Sequence, residues 1–165
     1  MINDQYPVQI GVIPQATAMQ MDGLSFMRNL LSKQFPAPPF AETCDIWPIE
    51  VEYGRAVFEV TPSQRFLNPL GTVHGGWIST LLDSAMGSAV HSTLKPGHGY
   101  TTIDMTVSFV RSVMPSSGKL ICEGKIIHSG GRIAAAEGRV TDAAGKLMAH
   151  GTETCLILKS PTASS

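Results

Sequence analysis

Asp83 is the sole formal charge between Gly75 and Thr93, and it falls inside a segment patterned as a helix. From Trp77 the apolar residues recur in pairs: Trp77/Ile78, Leu81/Leu82, Ala85/Met86 and Ala89/Val90. That four-residue step belongs to a helix with one broad buried stripe. The opposite face carries Gly76, Ser79, Thr80, Asp83, Ser84, Gly87 and Ser88, small residues that allow other backbone to come close. An acid there loses hydration, at a cost on the order of several kcal/mol unless it is paired or neutralised. Asp83 is therefore a candidate nucleophile or base. The competing reading is an acid hydrogen-bonded to a neighbouring Ser or Thr. Directly before the helix runs Asn68-Pro-Leu-Gly-Thr-Val-His74-Gly75-Gly76. The opening amides of a helix lack internal acceptors and lie at its positive end, so the Gly75 N–H can receive an oxyanion. Glycine leaves the approach to that amide open.

Eight helical residues separate Gly75 from Asp83, about 12 Å along the axis. Reacting atoms must come within about 3–3.5 Å of one another, so one substrate carbonyl cannot touch both groups on the same helix. If both act, they come from two chains, and the sites are composite sites of a homodimer.

The elements that hold these residues follow from the rest of the pattern. Residues 1 to about 24 show no clear period, and Ser25 to Gln34 reads as a short amphipathic helix ended by Phe35-Pro-Ala-Pro-Pro-Phe40. Strands are expected around Glu42–Tyr53 and Arg55–Thr61, with Gly54 at the turn. After the long helix, Thr102 to Phe109 alternates polar and apolar residues, the period of a sheet with unlike faces. Turns at Pro115–Gly118, Ser129–Gly131 and Asp142–Gly145 divide the remainder into further strands, and Ser160–Ser165 is an expected loose tail. Ala134, Ala135, Ala136 and Gly138 are small for strand positions and mark where the sheet meets the long helix. Two strands, one central helix and four strands in meander make an α+β fold, an antiparallel sheet wrapped around the helix.

Composition narrows the function. The 165 residues fit one domain; 43% hydrophobic and 15% charged content fits a chain that hides surface in an oligomer. A net charge of −1 gives no electrostatic case for a nucleic-acid or membrane partner. No run is long enough to span a bilayer, and the N-terminus lacks the pattern of a secretion signal. The three cysteines have no metal-type spacing and read as buried thiols of a cytoplasmic protein. Nor do the five histidines, His74, His91, His98, His128 and His150, show ligand spacing, so no metal is expected. The chain has no Gly-x-Ser-x-Gly elbow and no Walker or dinucleotide pattern, so neither a lipase-type triad nor a nucleotide cofactor is expected.

The Asn-x-x-Gly-x-x-His-Gly-Gly loop, the acid eight residues past the first glycine of the pair, and the strands that follow resemble the hotdog fold. More narrowly, they resemble the acyl-CoA thioesterases of the phenylacetic-acid-degradation (PaaI-like) type. The resemblance covers residues 41–158, implying an N-terminal extension over 1–40, a hotdog thioesterase domain over 41–158 and a tail over 159–165. It implies hydrolysis of an acyl- or aryl-CoA thioester to acid and coenzyme A, with no cofactor beyond the coenzyme A of the substrate. It also implies dimers that assemble into homotetramers. In that frame Gly75 is the oxyanion donor, with Asp83 as nucleophile or general base. Asn68 helps hold the carbonyl or the water, and His74 orients the loop or the partner's acid. Asn68 equally fits turn chemistry, and the structural alternative for His74 is a helix cap. Thr101 is expected near the nucleophilic water. Gly76, Trp77 and Met86 are expected to line the acyl pocket, and Arg111 and Arg132 either meet coenzyme A phosphates or end strands in solvent. The alternatives are a hotdog hydratase or dehydratase of acyl thioesters, and a non-catalytic acyl-CoA sensor.

Overall fold

Small residues set the geometry of this fold, by letting a helix lie directly on a sheet. The computed structural model describes residues 9–159; residues 1–8 and the expected loose tail Ser160–Ser165 lie outside the described residues. Six strands form one antiparallel sheet: β1 (Trp47–Glu52), β2 (Arg55–Val60), β3 (His98–Phe109), β4 (Leu120–Ser129), β5 (Ile133–Asp142) and β6 (Leu147–Lys159). Their spatial order is β1-β2-β4-β5-β6-β3. Helix α4 (Gly75–His91) crosses one face, and all eight residues of the paired apolar stripe are buried beneath it. Gly124 and Gly138 are register partners on β4 and β5. A methyl group at Gly124 would collide with the Ala85 carbonyl, and one at Gly138 would stand 2.9 Å from Leu82 and Met86. Ala134 and Ala136 are also fully buried under the helix, while Ala135 points to the other side of the sheet.

Three strand and helix assignments differ from the sequence reading. The expected strand over 42–53 begins only at Trp47, because Pro38-Pro39 starts a short helix, α3 (Pro39–Cys44), that Asp45 ends at φ 53°. Proline at the first helical position loses no hydrogen bond that the helix needs. The helix expected over 25–34 is α2 (Gly23–Leu31), because Asp22 caps it by accepting from the Ser25 amide at 2.9 Å. A short turn of helix, α1 (Gln15–Ala18), precedes it. The last four strands are not a simple meander. β4, β5 and β6 follow one another, but β3 lies beyond β6 at the far edge. The 17 residues of α4 carry the chain about 25 Å, so it re-enters the sheet on the side opposite β2.

The alternation along β3 is also interrupted. Thr102 pairs with Cys155 but Asp104 with Thr154, so Ile103 is an extra residue, a bulge. The bulge inverts the side-chain parity. Thr102 lies on the α4 side with Met105 and Val107, and Ile103 is exposed.

Candidate active site

The loop before α4 folds upon itself. The Asn68 side-chain oxygen accepts from the Leu70 amide at 2.9 Å and the Thr72 amide at 3.2 Å, and its NH2 donates to the Thr72 hydroxyl at 2.6 Å. Both ends of the Asn68 amide are thus engaged inside the loop. His74 is the N-cap of α4, with Nδ1 accepting from the Gly76 amide at 2.9 Å. A neutral ring that accepts at Nδ1 carries its proton on Nε2, and the exposed ring can donate outward from there. Because His74 occupies the Gly76 amide, the Gly75 N–H is left with no hydrogen-bond acceptor among the described residues. It is an open donor at the positive end of a 17-residue helix. The Phe109 ring lies beside it.

Two turns further along α4, Asp83 is half-buried. Burial raises its pKa, opposed by a hydrogen bond from Thr102, and no cationic group contributes. The Thr102 hydroxyl lies 3.4 Å from Asp83 Oδ1 and 2.7 Å from Oε1 of Glu153. The β3 bulge is the reason that Thr102, and not the expected Thr101, reaches this point. Thr101 is exposed on the other face of the strand.

Asp83 also forms part of the wall of a cavity of about 340 Å³ between α2, α3, β1 and α4. Phe26, Leu30, Trp47 and Phe58 supply much of its apolar wall; Ser84, Ser88 and Tyr100 line it near Asp83. His91 completes that side, packed between Phe26 (ring centroids 4.7 Å) and Tyr100 (5.9 Å). Burial lowers the His91 pKa to about 4, so the ring is neutral around pH 7. A half-buried base beside an apolar chamber can act on a polar bond whose apolar substituent fills the chamber.

Comparison with known proteins gives the family. The profile of the thioesterase superfamily matches residues 70–149. A candidate esterase of Saccharolobus solfataricus is 30% identical over 115 residues, which cover 70% of this chain and 80% of that protein. The chain belongs to the thioesterase superfamily. Acyl-coenzyme A thioesterase 13 of Mus musculus is 25% identical over 130 residues, covering 78% of this chain and 91% of its own. A solved candidate thioesterase of Ralstonia eutropha, related to phenylacetic acid degradation, is 27% identical with a TM-score of 0.72 and covers 79% of this chain and 98% of that one. The fold is the hotdog fold of PaaI-like thioesterases and the activity is thioester hydrolysis.

Within this thioesterase the other expected site residues scatter. Trp77 and Met86 do not line the cavity. Trp77 is 6% exposed, stacks on Phe66 at 4.8 Å and donates its indole N–H to the Cys44 carbonyl, while Met86 is fully buried against the sheet. The stripe that packs the core cannot also face a ligand, so the wall comes from α2, α3 and the small-residue side of α4. Arg111 and Arg132 are both exposed, Arg111 bonding the Leu147 carbonyl and the Arg132 carbonyl receiving the Ile157 amide. The positions they bond lie near opposite ends of β6, roughly 30 Å apart at strand rise, so within one protomer they cannot hold the same phosphate. Glu153 escaped the sequence reading. Its signal was parity: Ala149, Gly151, Glu153 and Cys155 share the buried face of β6, where a carboxylate is out of place. Among the described residues no group of three His, Cys, Asp or Glu side chains is placed to hold a metal ion. No helix of the described residues is long and apolar enough to cross a membrane.

Proposed function

We propose that this thioesterase hydrolyses an acyl-coenzyme A whose acyl group is apolar, releasing the carboxylic acid and coenzyme A. The observation that carries this reading is Asp83 in the wall of the 340 Å³ apolar cavity. The acyl chain or ring fills the cavity and brings its thioester carbon to the Asp83 carboxylate. The carbonyl oxygen, as it gains negative charge, accepts from the Gly75 N–H of a second protomer. Asp83 either takes a proton from the attacking water or attacks the carbon itself, forming an anhydride that water then opens. In both routes the C–S bond breaks and the thiolate leaves, to be protonated to free coenzyme A.

The second protomer is supplied by pairing along β3. This edge strand presents unpaired backbone groups, and Ile103 and Phe109 on it are 56% and 54% exposed. The homodimer forms two composite sites and assembles further into a tetramer, with Arg111 or Arg132 of a neighbouring chain available to coenzyme A phosphates. The setting is the cytoplasm, where Cys44, Cys122 and Cys155 remain thiols.

The test is thiol release from a panel of aryl- and alkyl-acyl coenzyme A thioesters by the wild type and Asp83→Asn. The expected result is turnover in the wild type that falls by orders of magnitude in Asp83→Asn, with the dimer intact. Equal turnover in both proteins would remove Asp83 from the mechanism. Tight acyl-coenzyme A binding without turnover would favour a sensor. A single turnover in 18O-labelled water separates the routes: label enters Asp83 if it attacks directly and the product alone if it activates water.

A further inference from the structure

Glu153 is 1% exposed and lies on the inner face of β6, which it shares with the buried Ala149, Gly151 and Cys155. Its Oε1 receives two hydrogen bonds, from the Thr102 hydroxyl at 2.7 Å and the Cys155 thiol at 2.9 Å. Its Oε2 is buried without any hydrogen-bond partner among the described residues. A buried, half-satisfied carboxyl is costly, and an apolar residue at this site would remove that cost. The same Thr102 hydroxyl lies 3.4 Å from Asp83 Oδ1. One hydroxyl proton thus stands between two carboxyl groups and can be donated to only one of them at a time. We propose that Glu153 is a positioning residue for Asp83, using the Thr102 hydroxyl as the link that decides whether Asp83 receives a hydrogen bond.

While Glu153 accepts the Thr102 proton, the hydroxyl turns its lone pairs toward Asp83 and gives the Asp83 carboxylate no support. When Glu153 carries a proton on Oε1, Thr102 can accept from it and donate to Asp83, which favours the Asp83 carboxylate. The surroundings reinforce the coupling. The ionisable groups around Glu153 are Asp83 from α4, Tyr100 from β3 and Cys155 from β6, with His91 beyond Tyr100; the buried face of β5, with Ala134, Ala136, Gly138 and Val140, adds no ionisable group. Every one of the first three is an acid, and each is shifted upward. For Glu153 burial is the largest cause, opposed by the hydrogen bonds from Cys155 and Thr102 and reinforced by the Asp83 charge; for Tyr100 and Cys155 burial is again the largest cause and the neighbouring carboxyl groups add to it. The position lies outside residues 70–149, the stretch that matches the family.

This inference rests on Asp83 as the working acid, so its test reads Asp83 directly and needs no turnover. Carboxyl 13C chemical shifts of Asp83 and Glu153 are followed against pH in the wild type, Glu153→Gln, Thr102→Val and the double variant. Glu153→Gln removes the charge and offers an NH2 donor to the Thr102 hydroxyl, which can then accept from it and donate to Asp83, as with a protonated Glu153. It should lower the Asp83 titration midpoint by at least ~0.5 pH unit, and in the Thr102→Val background that shift should fall to less than half. In the wild type the two carboxyls should titrate together in shared steps. An unmoved or raised midpoint in Glu153→Gln overturns the proposal. A shift of the same size without the Thr102 hydroxyl also overturns it, since Glu153 would then act only through its field. Should Glu153→Gln fail to fold, independent single-step titration of Glu153 in the wild type overturns it equally. If the spectroscopic shifts appear but no thioester is cleaved, the positioning holds and the proposed reaction fails.

Discussion

Replacing Gly75 by proline tests the oxyanion donor with little disturbance of the fold. Gly75 opens α4, and His74 before it has φ −64° and ψ 132°, the extended geometry that a residue preceding proline needs. Proline is favoured at the first helical position because the N–H it lacks is one the helix does not use. The Gly75 amide has no internal acceptor to lose. The new Cβ would stand 3.1 Å from Cζ of Phe109, the far end of a side chain that need shift by only a few tenths of an ångström. Thermal stability should therefore change little. Turnover should not survive: loss of one oxyanion donor costs ~10²–10³-fold in kcat, or ~2.7–4 kcal/mol of transition-state stabilisation. Gly75→Ala supplies the control, with the same Cβ and the N–H retained, so the ratio of the two variants isolates the hydrogen bond. The assay is thiol release under saturating substrate, alongside thermal melts. If Gly75→Pro turns over within ~10-fold of Gly75→Ala while melting normally, the Gly75 amide is not the donor. The same variant examines the two-chain site. Gly75→Pro and Asp83→Asn homodimers, each inactive, should regain activity when unfolded, mixed and refolded, because one of the two sites in a heterodimer then has both groups intact. No recovery despite heterodimer formation would place both groups of a site on one chain, contrary to the 12 Å argument.

Leu30→Trp narrows the cavity from the α2 side, so kcat/KM for a bulky acyl-coenzyme A relative to acetyl-coenzyme A should fall by ~10–100-fold, and an unchanged ratio would move the acyl group elsewhere. His91, whose pKa drops from 6.5 to about 4 on burial, makes the fold sensitive to acid. Below pH 6.5 the unfolded chain takes up a proton that the folded chain refuses, so stability declines toward pH 4 by ~3 kcal/mol. Asp83 and Glu153, shifted upward, act in the opposite sense over acidic pH. Chemical denaturation of His91→Phe across pH 4–7 should therefore lack the His91 component of the decline, and a decline identical to wild type would show that the ring is accessible to protons.

The sequence by itself was enough for the helix, its buried stripe and its isolated acid, because a 3.6-residue period is written in nearest neighbours. It was also enough for the open amide at Gly75, since the first turn of any helix leaves donors unused. The small residues of β5 announced the close helix–sheet contact for a similar reason: only Ala and Gly leave room for backbone. What required the tertiary structure were facts about what lies opposite. A single bulge residue, Ile103, inverted the parity of β3 and put Thr102 at Asp83, where the family resemblance had implied Thr101. The cavity wall could not be read from α4 because α2, more than fifty positions earlier, supplies much of it. Trp77 and Met86 were expected in the acyl pocket, yet side chains that fill a close-packed core have no face left for a ligand. Glu153 became meaningful only when β6 carried it under α4, since a carboxylate in a strand has no chemistry until the fold decides what shares its hydroxyl.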